Sequence, residues 1–129
     1  MNKRQIKLSC YLEQLNIEVV KVEMILNQLN RLKNNQEIAN YIIERDLLKT
    51  KCQLELSLAS LCIILRKMCE NQFITLNQER RKDINSIIHS NRFDFFEDDK
   101  VYVLSQKGQE EVNIIQLLDY AKKIFKEIV

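Results

Sequence analysis

Leu8, Leu12, Leu15, Val19, Val22, Leu26 and Leu29 recur in alternating steps of four and three. That spacing predicts a helix with one buried seam. Tyr11, Ile25 and Leu32 widen the stripe on one side, which suits a helix facing two neighbours in a bundle better than a two-stranded zipper. Asn34-Asn35 interrupts the pattern and can cap the next segment. A second stripe then runs through Ile43, Leu47, Leu54, Leu58, Leu61, Leu65 and Met68, with Cys52, Ala59, Cys62 and Cys69 beside it. It predicts a helix from about Gln36 to Glu70. The first half of that helix carries Glu44, Arg45, Lys49 and Lys51, whereas the second half is apolar nearly all round and is the better candidate for a bundle centre or an oligomer contact. A short connection folds the two helices into an antiparallel hairpin; a single continuous rod is the alternative.

After a crossing at Asn71 to Ile74, Thr75-Leu-Asn-Gln78 reads as a capping box opening a third helix that ends near Ser90. Phe93-Asp-Phe-Phe96 and Val101-Tyr-Val-Leu104 are β-prone runs flanking Glu97-Asp-Asp-Lys100, a good hairpin turn. Ser105 can cap a last helix reaching about Ile128, with Ile114, Leu118, Ala121, Phe125 and Ile128 as its stripe. The expected fold is therefore all-α: an antiparallel bundle of about four helices, two long and two shorter. A small β-hairpin near 93–104 precedes the last helix, and residues 1–129 make one domain. The pattern contains neither an internal repeat nor a low-complexity linker.

Composition narrows the chemistry. A chain of 129 residues supports one core rather than two. Its one Gly and absence of Pro fit long helices and leave no material for a Gly-rich phosphate loop. With 20 basic and 18 acidic residues the formal charge is +2, so any nucleic-acid contact has to be a local patch. Cys10, Cys52, Cys62 and Cys69 form no C-x-x-C pair, and the chain has a single histidine. Zinc ligation would need thiolates from distant helices. Reduced thiols filling a stripe of Leu and Ile are the simpler account. No metal or other cofactor is expected, and the acidic turn at 97–100 reads as a solvated tip rather than a cation loop. Ser9, Glu13, Gln14 and Asn16 interrupt any apolar run near the N-terminus, and the longest such run, Leu61 to Leu65, is far too short to span a bilayer. A cytoplasmic protein without a membrane contact is expected.

The candidate chemistry sits around His89. Asn85 precedes it by four residues and Arg81 precedes Asn85 by four more, so the three share one helical face, successive members about 40° apart. Arg92 follows closely, and Arg80 and Lys82 flank Arg81. An imidazole titrates near neutrality and can take and give a proton. Arginines can neutralise phosphate, and an amide can orient a hydroxyl or the ring. The competing account is structural: a histidine in the last turn of a helix commonly serves the C-terminal carbonyls and dipole, and Arg80-Arg81-Lys82 is then a solvated face.

Asn85-Ser-Ile-Ile-His89-Ser-Asn, followed by an aromatic strand, an acidic turn, Val101-Tyr-Val-Leu and a final amphipathic helix, resembles the C-terminal half of HEPN domains over Ile84 to Val129. Over the first seventy residues the likeness is architectural. The resemblance implies a small helical bundle with an RNA-related role in toxin–antitoxin, antiviral or other stress systems. Active members are metal-independent endoribonucleases, usually dimeric, with an Arg-Asn-x-x-x-His motif facing its copy. It implies that His89 assists proton transfer around 2′-hydroxyl attack, that Asn85 is the motif's polar residue and that Arg80, Lys82 and Arg92 bind RNA. The motif's arginine aligns with Ile84. Loss of such a charge typically costs on the order of 10²–10³ in rate, and Arg81, one turn earlier, is the candidate to compensate.

RNA is thus one expected partner, and a second copy or another helical protein is the other. Two further readings stay open. A non-enzymatic interaction subunit of a larger assembly would use the Leu8–Leu29 seam as its partner contact. A DNA binder is suggested by Lys100-Val-Tyr-Val-Leu-Ser-Gln-Lys-Gly108, which resembles the wing of winged-helix domains.

Overall fold

The computed structural model describes residues 2–34, 40–89, 92–95, 101–104 and 111–128. Among them the chain forms α1 (Lys3–Asn34), α2 (Asn40–Glu70), α3 (Gln78–Ile88) and α4 (Ile114–Ile128), with short strands β1 (Arg92–Phe95), β2 (Val101–Leu104) and β3 (Glu111–Asn113) between α3 and α4.

The two long helices run antiparallel. Near one end Arg4 and Lys7 of α1 bond Asn71, just past α2. At the other end Ile25 and Arg31 of α1 lie beside Thr50 and Gln53 of α2. This excludes the continuous rod. The seam is legible in the packing: Leu15, Val19, Val22 and Leu29 are buried, and Leu8, Leu12 and Leu26 pack half-buried against them. On α2, Leu54, Leu58, Leu61, Leu65 and Met68 have no exposed surface. Each such side chain removed from water contributes about 1.5–3 kcal/mol. Cys62 is buried and Cys69 half-buried, as expected of apolar fillers, but Cys52 is exposed on the outer side of α2. The same helix exposes Leu48 and Leu56.

The end of α2 is closed by backbone geometry. The Gln72 amide donates to the Cys69 carbonyl at 3.0 Å and the Phe73 amide to the Met68 carbonyl at 2.9 Å. Gln72 has φ 62°, the left-handed position of a Schellman cap. The turn points Phe73 back at α1, where its ring meets Tyr11 edge-on at 6.0 Å and both pack on the core.

Helix α3 begins at Asn77 rather than in a capping box at Thr75. The Asn77 side chain accepts from the Arg80 amide at 2.8 Å, satisfying one of the orphan donors of the first turn. Leu76, one residue earlier, is drawn into the core. A larger correction concerns α4. It starts at Ile114 instead of following Ser105, because Asn113 caps it: Asn113 Oδ1 accepts from the amides of Ile115 and Gln116 at 3.0 and 3.3 Å. Glu111–Asn113 is extended and pairs antiparallel with β2, Val112 opposite Val103. β2 also pairs antiparallel with β1, Phe93 opposite Val103. The turn expected at 97–100 and the Ser105 cap lie outside the described residues. The buried stripe of α4 is Ile114, Leu117, Leu118, Ala121 and Ile124, so Leu117 and Ile124 face inward and Phe125 is half-buried.

Among the described residues, the buried members of the core lie on the four helices and, at Leu76, on the crossing before α3. α4 lies along the Glu23, Leu26 and Asn30 flank of α1, held also by Lys122 and Glu23 at 2.6 Å. No helix among the described residues is long and apolar enough to cross a membrane.

Candidate functional site

Burial on α3 sorts its side chains. Ile84, Ser86 and Ile87 face the core, while Gln78, Glu79, Arg81, Lys82, Asn85 and His89 are exposed. The helical period explains the split. Taking Ile84 as pointing inward, Arg81, Asn85 and His89 lie 60° to 140° around the axis on one side, with Lys82 next to them. The structure thus brings together on one face the three residues that the sequence singled out.

Their tips are not gathered into one catalytic cluster. Arg81 and His89 are eight residues apart, which is about 12 Å along a helix axis. The Arg81 Nε donates to the Leu76 carbonyl at 3.0 Å, which ties the guanidinium to the N-terminal end of the helix. His89 is the C-cap: its amide donates to the carbonyls of Asn85 and Ile87, leaving the ring at the helix end where the last carbonyls concentrate negative potential. The bonds to those carbonyls are made by the His89 backbone amide, and its side chain is exposed.

Arg80 belongs to the fold. Its Nη1 donates to Asp83 Oδ2 at 3.0 Å, and its guanidinium carbon sits 5.5 Å from the centre of the Tyr120 ring. It therefore joins α3 to α4. Burial raises the Tyr120 phenol above its usual range, and Arg80 partly offsets that. Lys82 also has an interaction within the fold. Arg92 opens β1, and its side chain lies outside the described residues. Ile84, where the HEPN motif carries arginine, is 1% exposed. Its side chain is a core contact, and an arginine there would point into Leu and Ile rather than toward a substrate.

Among the described residues, clefts of about 680, 220 and 260 Å³ are present, and Arg81, Asn85 and His89 line none of these. Among the described residues no group of three His, Cys, Asp or Glu side chains is placed to hold a metal ion. Burial pushes the Cys62 thiol well above its ordinary range, reinforced by the Asp83 carboxylate, so this sulfur stays protonated and unreactive. A winged-helix arrangement needs a pair of short helices before its wing; the helices before β1 are of 32, 31 and 11 residues.

No protein-family model matches this chain, and no curated protein or solved structure is significantly similar to it.

Sequence reasoning passed over the outward side of the hairpin. Ile17, Val20 and Met24 on α1 and Leu56 on α2 are each about half exposed or more. The signal was present: all four fall outside the two seams.

Proposed function

We propose that this chain is a HEPN-like RNA-binding protein with a degenerate catalytic motif, serving a toxin–antitoxin, antiviral or other stress system. The observation that supports it is the α3 face on which Arg81, Lys82, Asn85 and His89 are all exposed. Two cationic groups can meet phosphates there, and the amide and imidazole can meet a ribose hydroxyl or a base edge. Binding is favoured over cutting because Ile84 is committed to the core and Arg81 is held at the far end of the helix from His89. In this reading 93–104 forms a β-hairpin after His89, and two copies of the chain oppose their α3 faces.

The test is a fluorescence-anisotropy titration with a labelled single-stranded RNA. Binding should weaken with salt, at a slope of roughly −0.7 per phosphate contacted. It should fall at least fivefold in Arg81→Ala/Lys82→Ala, and the RNA should remain intact. Cleavage that survives EDTA and disappears in His89→Ala would replace the binding reading with an active ribonuclease. Absence of binding at low salt would end the RNA reading altogether.

A second reading, a helical interaction subunit, is favoured by the exposed apolar positions on α1 and α2. It expects every RNA measurement to be indifferent to substitution at His89.

A further inference from the structure

On the side of the hairpin along Lys21, Ile25 and Gln28, away from the α4 flank, α1 and α2 enclose an open groove of about 680 Å³. Its apolar lining comes from Met24, Ile25 and Leu56; its charged lining, among the described residues, is Lys21 and Arg31. The remaining described lining side chains are uncharged. Met24 and Leu56, one on each helix, are 66% and 71% exposed, more than any other large apolar side chain among the described residues. Ile17 and Val20 continue the apolar strip along α1. Met24, Ile25 and Leu56 are gathered in one groove between two helices and rimmed by polar residues, the arrangement in which binding grooves are built.

We propose that this groove docks an amphipathic helix of a protein partner whose apolar stripe is flanked by acidic residues. Length is the first reason. Lys21 to Arg31 spans about 15 Å of helix axis, close to three turns, which matches a helix presenting anchors at i, i+4 and i+7. Charge is the second. The ionised groups of the lining among the described residues, Lys21 and Arg31, are both basic, and they stand at the two ends of that span. Glu18, only 16% exposed, lies 3.6 Å from the Lys21 ammonium on the same helix, and Lys21 itself is 57% exposed, so its ammonium stays accessible from the groove. A second copy of this chain is the poorer occupant, since a two-fold contact through this face would set the Lys21 and Arg31 charges against the same basic pair of the other copy. RNA is poorer still, because Met24, Ile25 and Leu56 offer phosphate nothing. The groove shares no residue with the α3 face, so the two proposals stand or fall separately.

The probes are three designed 18-residue helical peptides with leucines at i, i+4, i+7 and i+11. One has glutamates flanking the stripe, one has lysines there, and one has the glutamates but serines in place of the leucines. Anisotropy at low salt should show the Glu-flanked peptide binding the full chain at least tenfold more tightly than either other. Lys21→Glu/Arg31→Glu should invert the charge preference, and Leu56→Asp should abolish binding. All three positions are exposed, so circular dichroism should show an unchanged helical signal. Equal affinity for the Glu- and Lys-flanked peptides, no binding of any peptide, or binding indifferent to Leu56→Asp would each overturn the proposal. So would a concentration-dependent dimer that Leu56→Asp dissociates, or displacement of the peptide by single-stranded RNA.

Discussion

The Arg4 guanidinium lies 4.3 Å from the centre of the Phe73 ring. Its two terminal nitrogens donate at 3.1 Å to the carbonyls of Asn71 and Gln72. One side chain near the start of α1 thus caps the end of α2, where orphan carbonyls and the helix dipole favour a cation, while stacking on the residue that turns the chain away. Arg4→Lys keeps the charge but loses the planar fork. It should lower unfolding stability by about 1 kcal/mol, and Arg4→Ala by somewhat more. Urea unfolding would measure both, and equal midpoints for all three proteins would refute the clamp.

Gln72 occupies a left-handed backbone position that costs a residue with a Cβ about 1 kcal/mol relative to glycine. Gln72→Gly should therefore stabilise the chain, by about 0.5–1 kcal/mol, although glycine usually weakens a structure. For a domain of this size that is a rise in Tm of about 2–4 °C. A calorimetric scan showing no rise would mean that the cap is not limiting.

Ile84→Arg would restore the arginine of the motif that this sequence resembles. Because the site is buried among apolar side chains, the substitution should cost at least about 3 kcal/mol, a large share of a typical 5–15 kcal/mol, and should yield no ribonuclease activity. Ile84→Val, a control for packing alone, should cost only about 0.5–1.5 kcal/mol. A well-folded, RNA-cleaving Ile84→Arg protein would contradict the assignment of this position to the core.

The Cys62 thiol is held above its ordinary value of 9.0, chiefly by burial and secondarily by Asp83. The folded state then keeps its proton more tightly than the unfolded state does. The associated stability is fully present below pH 9 and is lost as pH rises beyond it. Wild type should lose stability above about pH 9 more steeply than Cys62→Ala, each followed by urea unfolding across pH 8 to 10.5. In native protein a thiol reagent should modify the exposed Cys10 and Cys52 well before Cys62; equal rates would show that the helix pair opens freely.

The helical seams were legible because burial on an amphipathic helix is a local, periodic property. Leu15, Val22, Leu54 and Leu61 announce themselves by spacing alone, and so does the alignment of Arg81, Asn85 and His89 on one face. Cap positions were less legible. Thr75 and Asn77 are both acceptable caps, and the choice between them rests on Leu76 reaching the core. The Asn113 cap of α4 was not legible for a related reason: Glu111–Asn113 is taken up by pairing with β2, a contact between segments that no local pattern encodes.

By itself the sequence determined that two long helices form, which stripe of each is apolar, and that one face of α3 carries cations, an amide and an imidazole. Those follow from the 3.6-residue period and side-chain chemistry. Only the tertiary structure decided that Ile84 is closed off from any substrate, that Arg80 is spent on Asp83 and Tyr120, and that Met24 and Leu56 stand on either side of an open groove. Each of these depends on which neighbour fills the space beside a residue, and that neighbour is supplied by chain far away in sequence.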